Sequence, residues 1–145
     1  MRLWREVWQK LDMEQLPDKL NTEKNCSVLE YISGLSAHSD VAEALEIGIA
    51  PLGAADTYCP DTDSYRYLVA YANETVFSYA VGMNTVAFRL SPDFKHRAIN
   101  SGGEAVDSIG DEWVAFKLFR SGWPEVDLGF WARKAYLFAL GADVV

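Results

Sequence analysis

Up to Ile47 the apolar residues of this chain recur every three or four positions; from Tyr65 they recur every second position. That change of period limits the fold more than any other feature. A helical pattern does not settle as a strand, nor an alternating one as a helix. In the first part, Leu3, Trp4, Val7, Trp8 and Leu11 predict a helix over 1–16 that Pro17 ends. Val28, Leu29, Ile32 and Leu35 predict a second helix from Ser27 to Leu35. A third is expected from Val41 to Ile47, with Asp40 as N-cap, Glu43 at capping-box spacing and Gly48 as its stop.

The alternating part predicts strands Tyr65–Ala72, Val76–Val81 and Thr85–Leu90. Asn73-Glu74 and Gly82-Met83-Asn84 would join them into a meander that Pro92 closes. Residues Ala98 to Asp111, with Ser101-Gly102-Gly103 and Gly110, read as a loop. Trp113 to Phe119 reads as a fourth strand, and Asp127 to Leu140 as a last helix with Gly141 beyond it. The order helices, strands, helix gives an α+β domain. An antiparallel sheet of about four strands, a meander plus one, should carry the N-terminal helices and the C-terminal helix on one face. No repeat, low-complexity tract or linker divides the 145 residues, so a single globular domain is expected over 1–145.

Charge is unevenly spread. The net charge is −8, from 13 basic and 21 acidic residues. Residues 25–63 hold seven acids, Glu30, Asp40, Glu43, Glu46, Asp56, Asp61 and Asp63, and no Lys or Arg. Such a balance repels phosphate backbones and anionic lipid surfaces and favours basic partners. Neither nucleic acid nor membrane is an expected partner. No apolar run is long enough to span a bilayer. Arg5, Glu6, Lys10, Asp12 and Glu14 break up the pattern a signal peptide would need. With two cysteines, Cys26 and Cys59, no disulfide framework is indicated, and a cytoplasmic protein is the expectation.

Motifs that would carry chemistry are absent. Asp61-Thr62-Asp63-Ser64 begins like a calcium loop, but Arg66 stands at the sixth position and Ala72 at the twelfth. Two Cys and two His lack the short paired spacing of a zinc site. There is no Gly-x-Ser-x-Gly elbow and no phosphate loop. Cys59, His96 and a carboxylate could meet only through the fold, as could carboxylate pairs among Glu104, Asp107, Asp111 and Glu112. Tyr65, Tyr67 and Tyr71 line one side of a strand, either as core or as an exposed aromatic face. No metal and no cofactor is expected.

In size, acidity and class, the chain resembles the small immunity proteins of bacterial polymorphic and contact-dependent toxin systems. That resemblance implies a non-catalytic domain that binds and neutralises a cognate toxin; it transfers no binding residue. The acidic block supplies the candidate binding residues: Asp40, Glu43, Glu46, Asp56, Asp61 and Asp63, facing a basic protein partner. Two other readings stand beside this one. One is a small enzyme or small-molecule binder with a site built from distant residues. The other is a structural subunit of a phage particle or oligomer that docks through the Trp-rich first helix.

Overall fold

A computed structural model of the chain describes residues 17–60, 67–119 and 125–141. The helix expected over 1–16 lies outside the described residues, as do Tyr65, Asp61 and Asp63. The α+β class holds, with four α-helices and an antiparallel sheet among the described residues. A 3-10 turn, Asp18–Leu20, leads into α1 (Glu23–Ile32) and α2 (Ser39–Ile49). Then come β1 (Asp56–Tyr58), β2 (Leu68–Ala72), β3 (Thr75–Val81) and β4 (Thr85–Arg89). α3 (Pro92–Asn100), β5 (Glu104–Ala105), β6 (Trp113–Lys117) and α4 (Leu128–Ala139) complete the chain.

The sheet has six strands, not about four, in the order β1-β2-β3-β4-β6-β5. The meander β2-β3-β4 forms as the alternation predicts, and β6 pairs with β4. The two extra strands are the short edges. β1 carries one half-buried residue, Tyr58, and β5 is two residues long, so neither leaves an alternating pattern to read.

α3 was not expected: it fills the stretch after the meander and takes Ala98 to Asn100 from the expected loop, and Pro92 starts it rather than merely closing the meander. The ring fixes φ at a helical value, and the missing N–H is one that a first turn leaves unpaired anyway. α2 begins earlier than expected. Its N-cap is His38, whose Nδ1 accepts from the Asp40 amide at 3.1 Å, while Asp40 sits inside the first turn. Gly48 lies within α2, where its bare Cα lets Leu128 of α4 approach; an added Cβ would sit 3.3 Å from the Leu128 Cβ.

Helices cover both faces of the sheet, not one. On the first face α2, α3 and α4 bury Val41, Leu45, Phe94 and Trp131 against Phe77, Val86, Phe88 and Phe116. On the second, Val28, Leu29 and Ile32 of α1 join Tyr67, Val69, Tyr79 and Trp113. Each such side chain contributes about 1.5–3 kcal/mol when fully buried. Tyr67 and Tyr71 are therefore core, not an exposed aromatic face. All five residues of β2 are buried because the small Ala70 and Ala72 face the helices that Tyr71 turns away from.

A bulge lies where Val76 pairs with Tyr71 and Ser78 with Ala70. Phe77 is the extra residue, so it and Ser78 both turn toward the three-helix face. Ser78 is fully buried, and its hydroxyl donates to the Ala87 carbonyl at 2.7 Å. On the other face, burial, and then the neighbouring Tyr31 phenol, push the Tyr79 hydroxyl above the usual tyrosine range.

Candidate functional site

The acidic block does not fold into one surface. Along α2, Val41, Leu45 and Ile49 take the buried side. Asp40, Glu43 and Ile47, spaced by three and four, therefore share the outer side, with Glu46 on the adjacent row. All four are exposed, Ile47 to 66%, and α2 contains no Lys or Arg. His38 Nδ1 lies 3.7 Å from the Asp40 carboxylate.

Asp56 is elsewhere. In β1 it pairs with Tyr71, and directly opposed residues share a sheet face. Tyr71 belongs to the core that α1 covers, so Asp56 points away from the face α2 packs on. Asp61 and Asp63 lie outside the described residues. Of the six candidate acids, three form a continuous helical surface and one is separated from them by the sheet.

At the N-terminal end of α2 lies a feature the sequence reading missed. The Gly82 amide donates to the Ser36 carbonyl at 2.6 Å, and the His38 amide donates to the Gly82 carbonyl at 2.8 Å. These bonds tie the entrance of α2 to the β3–β4 turn. Between them opens a shallow groove of about 520 Å³, lined by Ser36, Ala37, His38, Ser39, Gly82 and Met83.

The same turn also meets the end of β6. The Leu118 amide donates to the Asn84 carbonyl at 2.7 Å, and Asn84 Nδ2 donates back to the Leu118 carbonyl at 3.0 Å. These bonds set the β3–β4 turn, with Met83 at its tip, beside the residues that follow β6 at one end of the sheet. Met83 is 69% exposed and Phe119 66%. Together with Ile47 they are the large hydrophobic side chains more than half exposed among the described residues. Phe119 also holds φ +59°, a left-handed conformation that a bulky side chain rarely adopts. One signal was legible in the sequence: Met83 is an apolar residue at the tip of a turn.

The grouping of Cys59 with His96 comes apart. Cys59 follows edge strand β1, whereas His96 sits on α3, which packs on β6. Four strand steps of about 4.8 Å separate those two strands, or roughly 19 Å. In the loop before β6, Glu112 is held by Arg89, with N–O distances of 3.0 Å to both Nε and Nη2, and Lys95 Nζ donates to the Asp111 carbonyl. A second groove of about 390 Å³ runs over these residues beside His96 and Ile99. His96 is exposed there and contacts Asn100 Nδ2 at 3.3 Å. Among the described residues no three His, Cys, Asp or Glu side chains come together as a metal site, and no helix is long and apolar enough to cross a membrane.

No known protein family, curated protein or solved structure matches the chain. The geometry alone therefore has to support any functional reading.

Proposed function

We propose that this protein is a non-catalytic binding module that presents the outer side of α2 to a basic protein. One observation carries the reading: Glu43 and Glu46 flank an Ile47 that is 66% exposed, with Asp40 about two turns back along the same side of a helix without a cation. An apolar centre within a charged rim is how protein interfaces are commonly built. The carboxylates steer a basic surface into encounter and set its orientation. Exposed ion pairs contribute only about 0–1 kcal/mol each, so apolar contact must supply most of the affinity. In its most specific form the role is of the immunity type, in which a small acidic cytoplasmic domain binds and neutralises a cognate basic toxin. Size, acidity and fold class support that form.

The test is affinity capture from lysate of the source cells at low and high salt, using the natural protein and its D40K/E43K/E46K variant. The reading expects one basic protein, held at low salt, weakened by salt and lost with the variant. Equal retention by both proteins would show that α2 is not the contact.

A further inference from the structure

We infer that a second copy of this chain docks on the three-helix layer, with α2 of each copy lying over the α3–α4 seam of the other. The inference does not rest on the basic partner proposed above. It concerns the cations of the same layer, which that reading leaves unused.

The layer carries opposite charge on its two sides. α4 meets α2 through Leu128, which approaches Gly48, and meets the loop after α2 through the Tyr136 hydroxyl, which accepts from the Ala54 amide at 3.1 Å. It meets α3 through Phe130, whose ring centre stands 6.4 Å from that of Phe94. At about 3.6 residues per turn, Leu128 and Tyr136 lie on one side of α4, and Phe130 and Lys134 on the other. α4 therefore stands between the acidic helix and α3. Neighbouring helix axes are about 8–10 Å apart, so two such spacings, roughly 16–20 Å, part α2 from α3. Exposed charges act over only about 8 Å at physiological salt, so the acids of α2 do not neutralise the far side of their own molecule.

At the seam, one ring gathers two cations. The Arg97 guanidinium lies 5.0 Å from the centre of the Phe94 ring, and the Lys134 ammonium 4.9 Å from it. The same ammonium is 5.4 Å from the Phe130 ring. Stacking fixes where each charge sits without neutralising it. Two acids stand nearby, both at helix N-termini. Asp93 is in the first turn of α3, and Asp127 caps α4 by accepting from the Phe130 amide at 3.1 Å. There the positive end of the helix dipole offsets them. Lys95 is turned away onto the Asp111 carbonyl. Arg97 and Lys134, with the exposed Arg133, give the seam its sign.

Each surface also has an apolar centre. Ile47 stands among the acids of α2, 66% exposed, and Phe130 beside the cations, 40% exposed. The two surfaces match in both respects, carboxylates against cations and one apolar side chain against another. A two-fold arrangement makes that contact twice. The net charge of −8 repels a second copy at a distance, but salt screens that repulsion and leaves contacts at the interface in force. A basic protein would compete with the second copy for Glu43 and Glu46.

The test is sedimentation of the full chain at low and high salt, with E43K/E46K, R97E/K134E and an equimolar mixture of the two. Circular dichroism melts establish that each variant folds; where charge reversal does not, R97Q/K134Q should still weaken the dimer. The natural chain should dimerise at low salt, and salt should loosen the dimer. Each variant alone brings like charges together and should weaken association at least about tenfold. In the mixture every contact again joins opposite charges, so the dimer should return, a rescue that a role in folding alone does not give.

A natural chain that stays monomeric at both salts overturns the proposal. So does a dimer that either variant leaves intact, or a mixture that stays monomeric. If the chain is monomeric and a leucine–glutamate helix shifts the amides of Arg97 and Lys134, the occupant is an acidic protein and not a second copy. Capture of a basic protein by a monomeric chain would leave the α2 reading standing and overturn only this one.

Discussion

The two ends of β3 are built differently. At its start, the Asn73-Glu74 turn is clamped from both sides of the sheet. Asn25 of α1 donates to the Glu74 carbonyl at 2.9 Å and accepts from the Val76 amide at 2.9 Å. The same side-chain amide donates to the Leu20 carbonyl and the Thr22 hydroxyl. From the other face, Asn73 Nδ2 donates to the carbonyl of Ala139 at the end of α4. At the far end of β3, the Gly82–Asn84 turn is held by backbone bonds and by Asn84, and leaves Met83 in solvent. One end spends its polar side chains on joining elements. The other leaves apolar surface uncommitted, and uncommitted surface is what a partner can use.

The contrast can be broken most severely at Asn25. Asn25→Leu would strand buried backbone groups at Leu20, Glu74 and Val76, each costing about 1–3 kcal/mol when unpaired. A loss of at least about 3 kcal/mol is expected, read from the urea midpoint. A loss under about 1 kcal/mol would mean the clamp is ornamental.

Midway along the strand, Tyr79 gives a dependence on pH. Its folded pKa lies above the ordinary value near 10, so above that pH the unfolded chain loses a proton that the fold retains. Stability should then fall by about 1.4 kcal/mol per pH unit from this group. Tyr79→Phe should flatten that slope in denaturant titrations at alkaline pH. An unchanged slope would show that the phenol ionises freely in the fold.

At the clamped turn, Asn73 and Glu74 both have positive φ, 52° and 59°, as a mirror-image hairpin turn demands. Glu74 holds that conformation without glycine's freedom. Glu74→Gly should raise stability by up to about 1 kcal/mol, seen as a higher melting temperature, because the clamp through the Glu74 carbonyl is retained. Destabilisation would mean that the carboxylate contributes more than the backbone strain costs.

The smallest effect is expected at the open end. Met83→Ser should change folding stability by less than about 0.5 kcal/mol. A larger loss by chemical denaturation would make Met83 part of the fold and remove it from the list of available contacts.

How much of this was legible follows from the same physics. The meander announced itself because strand alternation survives wherever side chains differ in size. α3 did not, since only Phe94 and Ala98 of its nine residues are buried. Coverage of both faces could have been read from β2, whose five residues are all apolar and buried and lack the usual polar side. At the candidate site, the acids of α2 could be placed by helical spacing alone. The separation of Asp56 could not, because it depends on which residue of β2 it opposes. The bonds between Asn84 and Leu118 likewise needed the pairing of β4 with β6.

The outer strands of the sheet have a consequence for how this molecule meets its own kind. β1 and β5 are three and two residues long, and each carries an exposed carboxylate, Asp56 and Glu104. A strand arriving from a second copy finds too few open backbone groups to pair with, and a like charge where it would have to lie. Crowded at high concentration, such a chain is protected from stacking edge to edge into fibrils.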